Sequence, residues 1–299
     1  MKLRRSTLFI PGSLDEAATI DRIRHCGADV ICLDLEDTVA PARKAAARQS
    51  IGRLLQLDIW GRAIRAVRIN AVGAGADADI AECIAPAAGK VDTLFLSKPN
   101  TVADIAAIDD YVNAAFATRP EAKRPGYVVG IESARALTDI DQLCRASPQV
   151  EALGFAIGDL SASLGVHITA FLHDRSLYPG DLFHFHRARI ILAARTHGLW
   201  ALDAPWPMVN DHATLTTDTR WGAMMGFDGK LALVPEQVPV IHAAYRPTPE
   251  ELARARSIVA AMEQLQAAGE GSGVESGNFL DPVVLAPALA TIARAEAPA

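Results

Sequence analysis

The chain has 299 residues, about twice the length of a typical domain, and a single large barrel with a short appendage accounts for that length. Half of the residues are hydrophobic, 21% are charged and the mean hydropathy is +0.16, which excludes an intrinsically disordered chain. The formal charge of −6 gives no general attraction for nucleic acid or anionic lipid, so it favours a small-molecule partner.

The cysteines and the N-terminal residues bear on the compartment. Four scattered cysteines lie in or beside apolar segments without a C-x-x-C pair, which predicts buried, reduced thiols. The apolar run at 8–10 is too short for the core of a signal peptide. No uncharged stretch reaches the ~20 residues that a membrane helix needs. We therefore expect a cytoplasmic protein that does not contact membranes.

Eight short apolar runs bounded by turn residues predict strands. In chain order they cover 6–10, 30–36, 65–70, 93–98, 127–132, 152–157, 199–203 and 228–233. The segments between them are mostly rich in alanine and long enough for a helix. This alternation predicts parallel strands with right-handed crossovers, and hence an α/β fold of the (β/α)₈ TIM-barrel type.

Helix-start patterns and a polar segment divide the rest of the chain. Ser13 with Glu16, and Thr101 with Asp104, resemble capping boxes, and a third pattern at 248–251 starts a helix that stops at Gly269. The glycine-rich stretch 269–278 predicts a flexible hinge, and 279–298 predicts a short helical lid. We therefore expect a barrel over 1–247, followed by a helix, hinge and lid over 248–299.

Charged residues stand at most of the predicted strand ends, and the carboxyl ends of barrel strands form the face where active sites lie. Glu132 and Asp159 end successive strands without a thiolate or histidine pair beside them, so they predict a magnesium site rather than a zinc site. Arg68 is the candidate for holding a substrate carboxylate through its planar fork. Further candidates are Glu36 and Asp37 for catalysis, and Lys98 and Asp203 for substrate binding.

Each of these patterns also has a structural interpretation. A charged strand end can be a solvated rim or an ion pair, and Glu36 with Asp37 can equally cap the helix near Pro41. Arg43 and Lys44 predict a solvated helix face or, alternatively, a phosphate contact. The histidines at 184 and 186 face different directions on a helix, which favours structural roles over a metal pair. Lys98 could form a Schiff base, although neighbouring carboxylates favour a salt-bridged ammonium.

Six motifs resemble those of the citrate lyase beta-subunit-like proteins of the HpcH/HpaI aldolase superfamily, over nearly the whole chain. The motifs are RSTLFIPG at 5–12, DLEDTVAPARK at 34–44, VRIN at 67–70, IESARAL at 131–137, GDLSASLG at 158–165 and GFDGKLALVPEQV at 226–238. The resemblance implies a magnesium-dependent lyase that cleaves a 3-hydroxyacyl-CoA of the malyl-, citramalyl- or citryl-CoA type. The products are acyl-CoA and a 2-oxo acid, and some members run the reverse condensation.

The same resemblance assigns roles to residues. It implies that Glu132 and Asp159 bind magnesium, that Arg68 binds the substrate anion, and that Glu36 and Asp37 lie near the active site. In FLDPV at 279–283, Asp281 corresponds to an acid/base carboxylate on a lid that closes over a neighbouring subunit. A homotrimer or hexamer is therefore implied.

Three positions depart from the family pattern. Val234 stands where a histidine is usual, Asn278 where a basic residue is usual, and Ser163 where a second acidic residue is usual. These changes bear on coenzyme A contacts and substrate identity. Two other functions remain open at this stage: an aldolase acting on a free 4-hydroxy-2-oxo acid with a metal, and a non-catalytic acyl-CoA-binding subunit.

Overall fold

A closed eight-stranded parallel barrel forms the body of the protein in the computed structural model, which describes residues 3–174, 180–275 and 277–296. The barrel strands are β1 (Ser6–Pro11), β2 (Val30–Asp34), β3 (Ile64–Ile69), β4 (Thr93–Leu96), β5 (Gly126–Ile131), β6 (Val150–Phe155), β7 (Trp200–Asp203) and β8 (Gly229–Ala232). Each strand pairs with the next, and β1 pairs with β8 to close the barrel. The predicted TIM barrel is confirmed.

At least one helix follows each barrel strand, and further helices complete the C-terminal part of the chain. The helices are α1 (Glu16–His25), α2 (Lys44–Leu54), α3 (Ala76–Asp79), α4 (Val102–Ala115), α5 (Ala134–Thr138), α6 (Ile140–Cys144), α7 (Ile157–Leu164), α8 (Ile168–His173), α9 (His184–Thr196), α10 (His212–Met225), α11 (Gln237–Tyr245), α12 (Pro249–Ala267) and α13 (Pro282–Glu296). Among the described residues, no helix is both long and apolar enough to cross a membrane.

Two of the three predicted helix starts are confirmed. Thr101 and Thr248 each form a reciprocal capping box with the acidic residue three positions later. The predicted capping box at Ser13 is wrong, because Asp15 accepts the Ala18 N–H and caps α1, which begins at Glu16. Aspartate caps a helix as well as serine does. Asp15 directly precedes the first residue of α1, so Asp15 caps this helix and Ser13 does not.

Alternation along the strands decides what lines the barrel interior. The apolar core inside the barrel contains Phe9, Cys32, Ala66, Val128 and Leu202, among others. Because side chains alternate between the two faces of a strand, the residues two positions beyond these also point toward the barrel axis. This alternation brings the charged residues at the ends of β2, β3 and β5 to one end of the barrel interior.

The described chain forms two compact units, Met1–His242 and Ala243–Ala299. In the second unit, α12 and α13 pack against each other. Within the predicted hinge at 269–278 the structure has local order, because β9 (Gly273–Glu275) and β10 (Asn278–Leu280) pair as an antiparallel hairpin, and the hinge role stays a prediction. Gly277 supplies a left-handed φ of 79° at the turn. Ser276 lies outside the described residues, and the division at 247/248 and the lid role stay predictions.

Candidate active site

Arg68, near the end of β3, is held by a carboxylate that our sequence predictions did not include. Its Nε and Nη2 donate to Asp34 Oδ1 and Oδ2 at 2.7 and 2.6 Å, and its guanidinium lies over the ring of Phe9. Burial alone would raise the pKa of Asp34, but the bonds from Arg68 outweigh it and lower that pKa. The Nε–Nη2 edge of the guanidinium is therefore occupied, and a substrate carboxylate would have to approach from the Nη1–Nη2 end, where Glu36 Oε2 also lies.

Glu36 and Asp37 follow β2 and share the ammonium of Lys98. Lys98 Nζ lies 2.6 Å from Glu36 Oε1 and 3.0 Å from Asp37 Oδ1, while Glu36 Oε2 lies 3.3 Å from Arg68 Nη1. Burial raises the pKa of Glu36 despite the opposing effect of Lys98. The alternative role as a helix cap is wrong, because the turn at Pro41 begins after Ala40 with no side-chain cap.

Lys98 also connects the two predicted metal ligands. Its backbone has a left-handed φ of 52°, a conformation that costs a non-glycine residue on the order of 1 kcal/mol or more. Its N–H donates to Glu132 Oε1 at 3.2 Å, and its Nζ lies 3.8 Å from Asp159 Oδ1. Asp159 is in the first turn of α7, where the helix dipole favours a carboxylate.

Glu132 is buried, and the groups around it offset only part of the cost of burying its negative charge. Burial, together with the charges of Asp159 and Glu36, raises its pKa to about 7, although the Lys98 N–H acts in the opposite direction. Its carboxylate lies over Gly130, where an added Cβ would stand 2.4 Å from Glu132 Oε1. The missing side chain at position 130 is therefore what gives this carboxylate its place.

The residues at this end of the barrel carry an excess of negative charge. We call them the rim cluster: Asp34, Glu36, Asp37, Arg68, Lys98, Glu132 and Asp159. With the adjacent ammonium of Lys44, three cations face five carboxyl groups, so when all five are ionised two negative charges remain for one divalent cation to balance. Within the described residues no group of three or more histidine, cysteine or acidic side chains could by itself hold a metal. The donor set still fits magnesium, which keeps several waters and takes one or two carboxylates plus substrate oxygens.

Asp203 does not join the rim cluster, and its predicted role in substrate binding is not supported. Its neighbour Leu202 lines the barrel core, so by alternation Asp203 points out toward the helices. There it is completely buried and bonded to Arg187 and Lys230, which also bond Asp218. Both of its oxygens are used inside the protein, which makes it part of a structural ion network.

Asp281 and the three departing residues are also placed. Asp281 belongs to the second unit, where its Oδ1 accepts the N–H of Val283 at the start of α13. Val234 follows β8, and Asn278 begins β10. Ser163 Oγ accepts the Ala134 N–H at 3.0 Å, so it links the segment after Glu132 to the helix of Asp159.

Sequence reasoning missed Asp34, Lys44 and the supporting role of Asn70. Lys44 is half-buried at a cavity that Glu36 and Lys98 also line, and its ammonium is directed inward, where it donates to Leu35 O, Glu36 O and Asn70 Oδ1. Alternation from Cys32 was the signal that identifies Asp34 as inward-facing. The sequence carries no comparable signal for Lys44, because its partners are two backbone carbonyls and an amide that lies 26 residues away.

Residues 5–235 match the HpcH/HpaI aldolase/citrate lyase family, and the chain belongs to it, which confirms the resemblance. An L-malyl-CoA/beta-methylmalyl-CoA lyase of Cereibacter sphaeroides is 32% identical over 98% of this chain and 94% of that protein. A (3S)-malyl-CoA thioesterase of the same species is 30% identical over 98% of this chain and 95% of that protein.

A solved structure extends the similarity to nearly the whole chain. Protein CitE from Mycobacterium tuberculosis, in complex with magnesium, acetoacetate and coenzyme A, is 29% identical and superposes with a TM-score of 0.80. The alignment covers 99% of both chains. The likeness therefore includes the second unit as well as the barrel.

Proposed function

We propose that the protein is a magnesium-dependent carbon–carbon lyase that cleaves a 3-hydroxyacyl-CoA of the malyl-CoA type into acyl-CoA and a 2-oxo acid. The observation that carries the proposal is the rim cluster, in which Glu132 and Asp159 lie beside an arginine and a lysine with two negative charges uncompensated. Family membership and the 32% identical malyl-CoA lyase support the choice of reaction.

The roles of the cluster follow from its contacts. Glu132 and Asp159 would hold Mg²⁺, which when bound withdraws electron density from the oxygens of the 2-oxo acid. Arg68 binds the substrate carboxylate through its Nη1–Nη2 end, since Asp34 occupies the other edge. Lys98 adds positive charge on the side of Glu36 and Asp37, where it balances the negative charge that develops during cleavage.

The reaction requires two proton transfers. A base removes the proton of the 3-hydroxyl, the adjacent carbon–carbon bond breaks, and the electron pair passes to the thioester as an enolate, which then takes up a proton. We assign this second proton to Asp281, in keeping with the family resemblance of FLDPV. The protein would work as a homotrimer or hexamer in the cytoplasm, and its four buried, unpaired cysteines agree with that compartment.

The test is an assay of purified protein with malyl-CoA, citramalyl-CoA and citryl-CoA, with Mg²⁺ and after treatment with EDTA. We expect a 2-oxo acid to be released without free thiol, only when Mg²⁺ is present. Free coenzyme A without a 2-oxo acid would instead indicate thioester hydrolysis, the reaction named for the 30% identical relative. Turnover of a free 4-hydroxy-2-oxo acid alone would indicate an aldolase.

A matched pair of variants locates the chemistry. Glu132→Gln removes the charge of a proposed metal ligand, whereas Glu151→Gln makes the same change at the other end of the barrel, where Glu151 pairs with Arg4. We expect the first variant to lose turnover and Mn²⁺ binding, and the second to keep both. Full turnover by Glu132→Gln would refute the assignment.

A further inference from the structure

Lys44, at the start of α2, directs its ammonium into the protein. Its Nζ lies 2.8 Å from Leu35 O, 3.0 Å from Glu36 O and 2.5 Å from Asn70 Oδ1. A lysine ammonium has three N–H donors, and these three acceptors use all of them. Lys44 therefore has no donor left for a phosphate or a substrate unless an internal bond breaks.

The two carbonyls flank the side chain that holds the cations of the rim cluster. The strand pairing of β2 ends at Asp34, and beyond it the Leu35 N–H donates to Arg68 O and the Glu36 N–H donates to Asp34 Oδ1. The carbonyls of Leu35 and Glu36 are the acceptors that Lys44 binds. Lys44 binds the carbonyl on each side of the Glu36 Cα, and this sets the direction in which the Glu36 side chain leaves the backbone. Glu36 in turn contacts Lys98 at 2.6 Å and Arg68 at 3.3 Å.

A buried network holds Lys44 itself. Asn70 Nδ2 donates to Leu35 O and to Asp79 Oδ2, so the amide oxygen is directed at Lys44. Asp79 is fully buried, and its other oxygen accepts from Arg48 Nε at 2.8 Å. The chain of contacts thus runs from α2 through the end of β3 to the backbone beside Glu36, without touching Glu132 or Asp159.

We propose that Lys44 is a positioning residue for the substrate-anion site: it orients Glu36, which holds the Lys98 ammonium and lies against the Arg68 guanidinium that Asp34 anchors. This inference rests on the proposed function, because it assumes that these cations bind the 2-oxo acid. It separates two parts of the rim cluster. Lys44 governs binding of the anion, whereas binding of the metal depends on Glu132 and Asp159.

The experiment compares Lys44→Met with Arg43→Met. Arg43 is the adjacent, exposed residue and loses the same charge, so it controls for long-range electrostatics. For each protein, calorimetry measures binding of glyoxylate or pyruvate with Mg²⁺ and of coenzyme A alone, and paramagnetic resonance measures Mn²⁺ binding. We expect Lys44→Met to weaken 2-oxo acid binding by about 10- to 100-fold, the size of effect that a displacement near 1 Å produces. Its Mn²⁺ and coenzyme A affinities should match those of Arg43→Met.

Lys44→Arg keeps the charge and several donors, so it should recover part of the 2-oxo acid affinity, which a general loss of packing would not allow. Equal 2-oxo acid affinity in wild type and Lys44→Met overturns the inference alone. So does a parallel loss of Mn²⁺ and 2-oxo acid binding, or a selective loss of coenzyme A binding, which would put Lys44 against a phosphate. If the wild type binds no 2-oxo acid, the proposed function and the inference fall together.

Discussion

Replacing Gly130 by alanine should weaken metal binding without unfolding the barrel. An added Cβ at this position would lie 2.4 Å from Glu132 Oε1 and 2.8 Å from Leu96 O. Ordinary van der Waals contact begins at 3.4 Å, so the carboxylate must withdraw by about 1 Å. Withdrawal also stretches its 3.2 Å bond to the Lys98 N–H.

The size of the effect follows from this displacement. Changes that misplace a metal ligand through its supporting groups cost about 10- to 100-fold in metal affinity. Overpacking of the strand should lower the free energy of unfolding by about 1–3 kcal/mol, because Leu96 O belongs to the rigid β4 backbone. The two effects can be separated by measuring Mn²⁺ binding and urea unfolding on the same preparation.

The chain contains a matched control in the same strand. At Gly126, at the opposite end of β5, an added Cβ would stand 2.3 Å from the carboxyl carbon of Glu151. Gly126→Ala is therefore the same substitution with the same kind of clash, distant from the rim cluster. We expect it to lower stability but to leave Mn²⁺ affinity unchanged. Equal Mn²⁺ affinities for the two variants would refute the argument that the empty space at Gly130 positions Glu132.

Three further variants test two buried ion networks and the hydrogen bond between Ser163 and Ala134. Asp34→Asn leaves Arg68 without its buried counter-ion and should cost about 3 kcal/mol of stability, which an unchanged urea midpoint would contradict. The pKa of Asp218 is lowered to about 2 because, against the effect of burial, Lys230 and Arg187 favour its charged form. Since its folded pKa lies below its unfolded value, Asp218 should contribute about 2 kcal/mol above pH 4, lost as the pH falls toward 2. Urea unfolding of Asp218→Asn against pH tests this, and a constant difference from wild type would contradict it. Ser163→Ala deprives the N–H at the start of α5 of its acceptor and should cost about 1 kcal/mol in thermal or urea unfolding, whereas unaltered stability would count against that role.

The barrel was predictable from the sequence because its signals are local. Each strand is a short apolar run bounded by turn residues, and all eight predicted runs overlap observed strands. Where the boundaries differ, the side chains explain the difference. The predicted strand at 30–36 stops at Asp34, since Asp34 Oδ1 accepts the Glu36 N–H and turns the chain. The hairpin at 273–280 was missed, because it depends on pairing across a glycine turn in a segment that is mostly polar.

The members of the candidate site were partly predictable, but their pairing was not. Position at a strand end identified Arg68, Glu132 and Asp159 as candidates, and all three lie within the rim cluster. It could not reveal that Asp34 occupies one edge of Arg68, since that contact joins residues 34 positions apart. Lys44 was undetectable for a related reason, because a lysine on an alanine-rich helix looks solvated until its acceptors are known.

The alternation of side chains along a strand explains why two similar aspartates at strand ends face different sides of the barrel wall. Asp34 comes two residues after the core residue Cys32 and therefore faces the barrel axis, where it holds Arg68 at the rim. Asp203 comes one residue after the core residue Leu202, faces the helices and is buried in an ion pair with Arg187. Both are aspartates paired with arginine at the carboxyl end of a strand, so residue type and strand-end position cannot distinguish them. Whether a residue lies an even or an odd number of positions from a core residue of the same strand does distinguish them. In this fold, that count separates side chains available to a substrate from those that stabilise the barrel wall.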